Sequence, residues 1–134
     1  VEYVNVAISN ACGIEKMYVF NDDIVDGDKD FAGMSTMHPI SANLGLMHKV
    51  IVNTLTYKDL LELYKIERVD YLKIDTEGHD MNILKEVIFE GSLRPELIKI
   101  EHKHCNLNKM SEFLLNKGYH IDLQKDDIFA LNLR

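Results

Sequence analysis

The feature that most constrains this chain is a series of switches in hydrophobic period between residues 56 and 133. Thr56-Tyr57-Lys58-Asp59 has the form of a capping box, with Leu60, Leu61 and Tyr64 following as a short helix face. Asp70 to Asp75 (D-Y-L-K-I-D) alternates as a strand that ends in acid. From His79 the apolar set Met81, Leu84, Val87 and Ile88 recurs at helical spacing, with Gly91 as the stop and Pro95 beyond it. Glu96 to Glu101 is again strand-like, and Leu107, Met110, Phe113 and Leu114 form a further helix that ends at Gly118. Tyr119 to Leu123 and Ile128 to Leu133 are two strands joined through Gln124 to Asp127, which predicts a closing antiparallel hairpin. Helix, strand, helix, strand, helix, strand is the signature of an α/β fold with a mostly parallel sheet. Ligands of such sheets sit at the carboxyl ends of the strands.

The upstream part is more broken. Val4 to Ile8, Lys16 to Phe20 and Lys49 to Asn53 read as strands, the first closed by a turn over Ser9 to Gly13. Asn21 to Asp30 is acidic and glycine-punctuated, hence a loop, and Gly33, Pro39 and Gly45 break any period up to Met47. A calcium loop over Asp22 to Gly33 is rejected, because Ile24 and Gly33 stand where oxygen ligands are needed. No repeat or Pro/Ser-rich linker divides the 134 residues, so one domain is expected. The chain starts at Val1, in a strand-like segment, which is the look of a cut start.

Charge and cysteine content narrow the function classes. Fifteen Lys and Arg against 22 Asp and Glu give a net charge of −7, which argues against a general grip on nucleic acid. No apolar run approaches the ~18–20 residues of a membrane span. Cys12 and Cys105 are far apart with no CxxC, which excludes a disulfide framework and a thiolate zinc site and fits a reducing cytoplasm.

The chemistry-bearing residues gather at predicted strand ends. Asp75-Thr76-Glu77-Gly78 closes one strand and Glu101-His102-Lys103-His104 the next. Residues i and i+2 share a strand face, so Asp75 is placed to pair with Glu77 and His102 with His104. Gly78 allows a tight turn into the helix that leaves backbone N–H groups open to any anion or carboxylate nearby. Such a cluster can bind a metal, supply a general base, or hold the polar end of a cofactor. Solvated charges paired with Lys73, Lys99 or Lys103 are the bland alternative.

Val69 to Asp80 (V-D-Y-L-K-I-D-T-E-G-H-D), followed by Ile83-Leu84-Lys85, resembles the signature of FkbM-type methyltransferases. Val52-Asn53-Thr54-Leu55, Arg94 to His102, Gly118-Tyr119 and Asp127 are similar to flanking family segments in order and spacing. Val6-Ala7-Ile8-Ser9 resembles the strand near the adenine pocket, and Ser35-Thr36 the polar loop between. The resemblance implies a class I, Rossmann-like methyltransferase sheet, and transfer of a methyl group from S-adenosylmethionine to a hydroxyl of a sugar or natural product, with no metal. It makes Asp75, Glu77 and His104 the catalytic candidates. Ala7, Ile8 and Asp75 would bind cofactor; Ser35, Thr36, Glu101 and His102 would bind the acceptor, a small molecule or glycan.

One departure stands out. The family's glycine-rich cofactor turn is absent: seven glycines are scattered and no G-x-G occurs. By the family pattern Val4 to Ile8 is the third strand, so the chain corresponds to the carboxyl-terminal part of the domain, without the first two strand–helix units. A sheet edge left open in that way predicts association, for instance as a homodimer. A non-catalytic binding or dimerisation module is therefore the alternative reading. A metal-dependent hydrolase on Asp75, Glu77, His102 and His104 is the third.

Overall fold

The computed structural model of this chain describes residues 2–20, 25–26, 29–30, 35–37, 39, 45–89 and 93–133. The expected helix stop at Gly91, most of the Asp22 to Gly33 stretch, and His38, which the sequence places in a lid with Ser35 and Thr36, lie outside them. The described elements are β1 (Ala7–Ile8), β2 (Gly13–Phe20), β3 (Val25–Asp26), β4 (Lys29–Asp30), β5 (Ser35–Thr36), β6 (Met47–Leu55), α1 (Tyr57–Leu63), β7 (Tyr71–Ile74), α2 (Asp80–Phe89), β8 (Leu97–Glu101), α3 (Leu107–Asn116), β9 (Tyr119–Gln124) and β10 (Asp127–Asn132).

The architecture is mixed α/β, but its strands divide between two four-stranded sheets, ordered β1-β6-β2-β5 and β7-β8-β10-β9. The expectation of a mostly parallel sheet is corrected by the register. In the second sheet β7 and β8 run parallel, whereas β8–β10 and β10–β9 are antiparallel. In the first, β1–β6 is parallel and β2 pairs antiparallel with both β5 and β6. The physical reason lies in the connections. Helix α2 lies between β7 and β8 and carries the chain back for their parallel pairing, whereas β1 and β6 reach theirs across the long stretch that holds β2 to β5. The short turn at Lys125 and Asp126 forces the expected hairpin, with Ile128 opposite Leu123. The acidic stretch read as a loop contains a two-residue antiparallel pair, β3 with β4.

The main core surrounds the second sheet. Ile83, Leu84, Val87 and Ile88 of α2 are buried with Ile74 of β7 and Ile98 and Ile100 of β8. Met110 and Leu114 of α3 join Tyr119, Ile128 and Ala130 in the same cluster. Alternate burial along β8 and β10 matches the period of two that marks them as strands. The first sheet is shallower, and Ile14 and Ile51 are 71% and 66% exposed on it.

Helix α1 begins as its sequence predicts. Thr56 is the N-cap, its Oγ1 accepting from the Asp59 amide at 3.0 Å, and the same hydroxyl donates to the Asp59 carboxylate. The acid thus reaches the capping hydroxyl itself. Loss of this cap in Thr56→Ala is expected to cost about 1 kcal/mol, read as a lower urea midpoint at unchanged slope.

Candidate active site

Strands β7 and β8 end side by side, with Ile74 opposite Ile100, so the segments that follow them meet at one rim. Asp75 sits immediately past β7, half-exposed, and accepts from Lys73 Nζ at 2.7 Å. Glu77 adopts a left-handed backbone (φ 52°) and Gly78 follows at φ 108°. The first is uncommon for a residue with a Cβ and the second favours glycine. Thr36 of β5 anchors this turn by donating from Oγ1 to the Glu77 carbonyl at 2.8 Å.

The amides expected to face an anion or a nearby carboxylate at this turn meet a carboxylate of the chain itself. Asp80, 1% exposed at the start of α2, accepts from the Thr76 amide through Oδ1 and from the Gly78 amide through Oδ2, both at 2.9 Å. Sequence reasoning gave Asp80 no role. The available signal was an acid at a helix start two residues after a glycine turn, where a carboxylate satisfies free N–H groups.

Two groupings result. Glu77, Glu101 and His104 converge, with ligand atoms within 4.8 Å of one another. His104 Nε2 lies 3.1 Å from Glu77 Oε2. Burial raises the Glu101 carboxyl above its ordinary pKa, and the neighbouring Glu77 and Asp75 charges add to this while His104 and Lys103 oppose it. Neither expected same-face pair forms, because the strands end at Ile74 and Glu101 and the pairing residues lie in turns. Asp75 meets Lys73, and His102 turns to the β9–β10 hairpin. There its ring Nε2 lies 3.1 Å from the Lys125 carbonyl and its amide donates to the Asp126 carbonyl at 2.8 Å.

The second grouping is a cleft of about 380 Å³ between the two sheets. Val6, Ala7, Ile8 and Met17 line one side; Leu72, Lys73, Ile74, Asp75 and Thr76 of the β7 segment line another. Ser35, Thr36 and Met37 close a third, and Tyr57, Leu60, His79, Ile83 and Val87 form the helical wall. Residues placed near adenine (Ala7, Ile8), in the polar loop (Ser35, Thr36) and at the strand end (Asp75) thus share one cavity, although up to 68 positions separate them in sequence. Burial pushes the Tyr57 hydroxyl up to about 12, so it stays neutral and donates to the Leu93 carbonyl at 3.2 Å. His79, which sequence left as an isolated histidine, is buried in the cleft wall, its Nδ1 3.2 Å from Asn82 Nδ2. Neither cysteine is set up as a nucleophile. The Asp59 carboxylate that accepts from Cys12 raises that thiol, and burial raises Cys105.

Comparison with known proteins gives two results. A family model described as "Methyltransferase FkbM domain" matches residues 2–121. Curated proteins named "Probable ribonuclease FAU-1" from strains of Saccharolobus islandicus are also similar. One, from strain Y.G.57.14 / Yellowstone #1, is 30% identical over 109 residues, covering 79% of this chain and 26% of the relative. Another, from strain L.S.2.15 / Lassen #1, is 29% identical over the same length and shares. The chain therefore spans about a quarter of the length of these relatives. No solved structure matches. Among the described residues no helix is long and apolar enough to cross a membrane.

Proposed function

The chain belongs to the methyltransferase FkbM domain family, matched over residues 2–121, and from that premise we propose that its inter-sheet cleft holds S-adenosylmethionine and its β7 rim receives a hydroxyl-bearing acceptor. The observation that carries this reading is the meeting of Ala7, Ile8, Ser35, Thr36 and Asp75, from three separate stretches of sequence, around one cavity. Its volume of about 380 Å³ lies in the ~300–1,000 Å³ range of small-molecule sites. Val6, Ala7, Ile8, Leu72 and Ile83 give apolar walls suited to the faces of a purine, and Asp75, Ser35 and Thr36 give a polar end suited to amino and hydroxyl groups. The residues present thus fit the cofactor's two chemistries. We read the β7-α2-β8 unit with its hairpin as the carboxyl-terminal part of a Rossmann-like sheet.

When bound, the cofactor supplies an electrophilic methyl group. The chain's own residues then have two tasks. Asp75, held by Lys73, accepts hydrogen bonds and fixes a partner at the strand end. His104, whose ring Glu77 Oε2 orients from 3.1 Å, takes the proton of an acceptor hydroxyl. Glu101 borders that base and supports an acceptor site, while the position of His102 at the hairpin favours a structural role for it.

The ribonuclease relatives lend less support to a nuclease reading. They share about a quarter of their length with this chain, and a net charge of −7 gives no general attraction for a phosphate backbone. Ultraviolet crosslinking of methyl-labelled S-adenosylmethionine to the chain, followed by peptide mapping, tests the site. Label is expected in the peptides carrying Ala7–Ile8 or Asp75–Thr76. Saturable label confined to other peptides would overturn the assignment.

A further inference from the structure

We propose that Glu77, Glu101 and His104 together hold one divalent transition-metal ion at the rim beside the cleft. The family resemblance gives no reason to expect a metal, so the inference rests on the residues themselves. The donors are two carboxylates and an imidazole, the mixed oxygen and nitrogen set that suits manganese or zinc. Their ligand atoms lie within 4.8 Å of one another, and His104 Nε2 to Glu77 Oε2 is 3.1 Å. Bonds of about 2.0–2.2 Å place neighbouring ligands of one ion roughly 3–3.5 Å apart, so one edge is already formed and side-chain torsions span the rest.

A second, independent observation points to a missing partner. Glu101 Oε2 is buried and meets no hydrogen-bond donor in the protein. A carboxylate oxygen in that position costs free energy unless something positive satisfies it. The single imidazole is shared with Glu77, Lys73 is committed to Asp75, and exposed Lys103 acts on Glu101 through its charge without a hydrogen bond to Oε2. The turn that presents Glu77 is also fixed in advance, by Thr36 on its carbonyl and by Asp80 on the flanking amides. That preorganisation lowers the cost of gathering three ligands.

Three protein ligands leave coordination positions for oxygen donors of a small molecule. On the methyltransferase reading these would be oxygens of the acceptor, which the ion would bind and orient. With the ion in place His104 Nε2 is a ligand, so the ion rather than His104 would ease loss of the hydroxyl proton, and His104 is the base only in the ion-free chain. That role rests on the proposed function; the binding of the ion does not.

The test uses the chain stripped of metal with a chelator. Zn²⁺ and Mn²⁺ are titrated separately by calorimetry into the parent chain, Glu101→Gln, His104→Ala and His120→Ala. One ion per chain at micromolar Kd is expected for at least one of the two metals. Binding should weaken at least tenfold in Glu101→Gln and in His104→Ala and stay unchanged in His120→Ala, whose imidazole is exposed on β9. Metal-free melting curves establish that each variant is folded, and His104→Gln replaces any variant that is not. Absence of saturable binding by the parent, or equal binding by all variants, would overturn the site. No cofactor is present in this titration, so its failure leaves the cleft reading standing, and failure of the cofactor experiments leaves the ion site standing.

Discussion

Asp75→Asn is expected to weaken binding of S-adenosylhomocysteine, the demethylated cofactor, by about 10- to 100-fold. Among the described residues Asp75 is the acidic side chain that lines the cleft, and it stands where β7 ends. A hydrogen bond to a charged group contributes about 1.5–3 kcal/mol, and each 1.4 kcal/mol is tenfold in affinity. Asparagine keeps the size and one acceptor oxygen but removes the charge, so the loss reports the carboxylate itself. Stability should change little. The Lys73–Asp75 pair is 51% and 40% exposed at its side chains, and pairs so placed contribute little to folding. Calorimetry of ligand binding and a thermal melt on the same variant separate the two effects. Unchanged affinity would remove Asp75 from the binding site.

Leu84→Ala is expected to have the largest effect on stability. Leu84 is completely buried on α2, within the cluster that includes Ile98 and Ile100 of β8. Its truncation removes apolar burial and leaves a cavity, a combined cost of about 2–5 kcal/mol. Domains of this size are stable by only about 5–15 kcal/mol in total, so a melting point lowered by roughly 10 °C or more is expected. Leu63→Ala is the contrasting control, because Leu63 is 62% exposed at the end of α1 and its loss should lie within ~0.5 kcal/mol. Equal melting points for the two variants would contradict the assignment of the core to α2 and the second sheet.

The strand and helix positions from Tyr57 onward were legible because burial there follows period. Leu84, Val87 and Ile88 on α2 and Ile98 and Ile100 on β8 are buried at the spacings their sequence sets. Sheet membership was not legible. Nothing local in Met47–Leu55 states that it pairs with Gly13–Phe20 in a separate sheet, because pairing is decided by which elements cover each face. The strand read over Val4 to Ile8 shrinks to Ala7–Ile8 for the same reason, since only those residues find partners, at Thr54 and Leu55 of β6. In the site, the turn at Gly78 was legible from glycine chemistry and the gathering of Glu77, Glu101 and His104 from parallel strand ends. The diversion of His102 was not, because it depends on the Lys125 carbonyl that the hairpin folds back to meet it. The buried closure by Asp80 was overlooked because an acid in a first helical turn usually faces solvent.

The central claim is that the cleft between β1, β7 and α2 holds a sulfonium cofactor. Calorimetric titration of S-adenosylmethionine and S-adenosylhomocysteine into the 134-residue chain tests it most directly. The account predicts one site per chain with micromolar Kd for both ligands, and a matching rise in melting temperature by mass action. No heat and no thermal shift at millimolar ligand would contradict it.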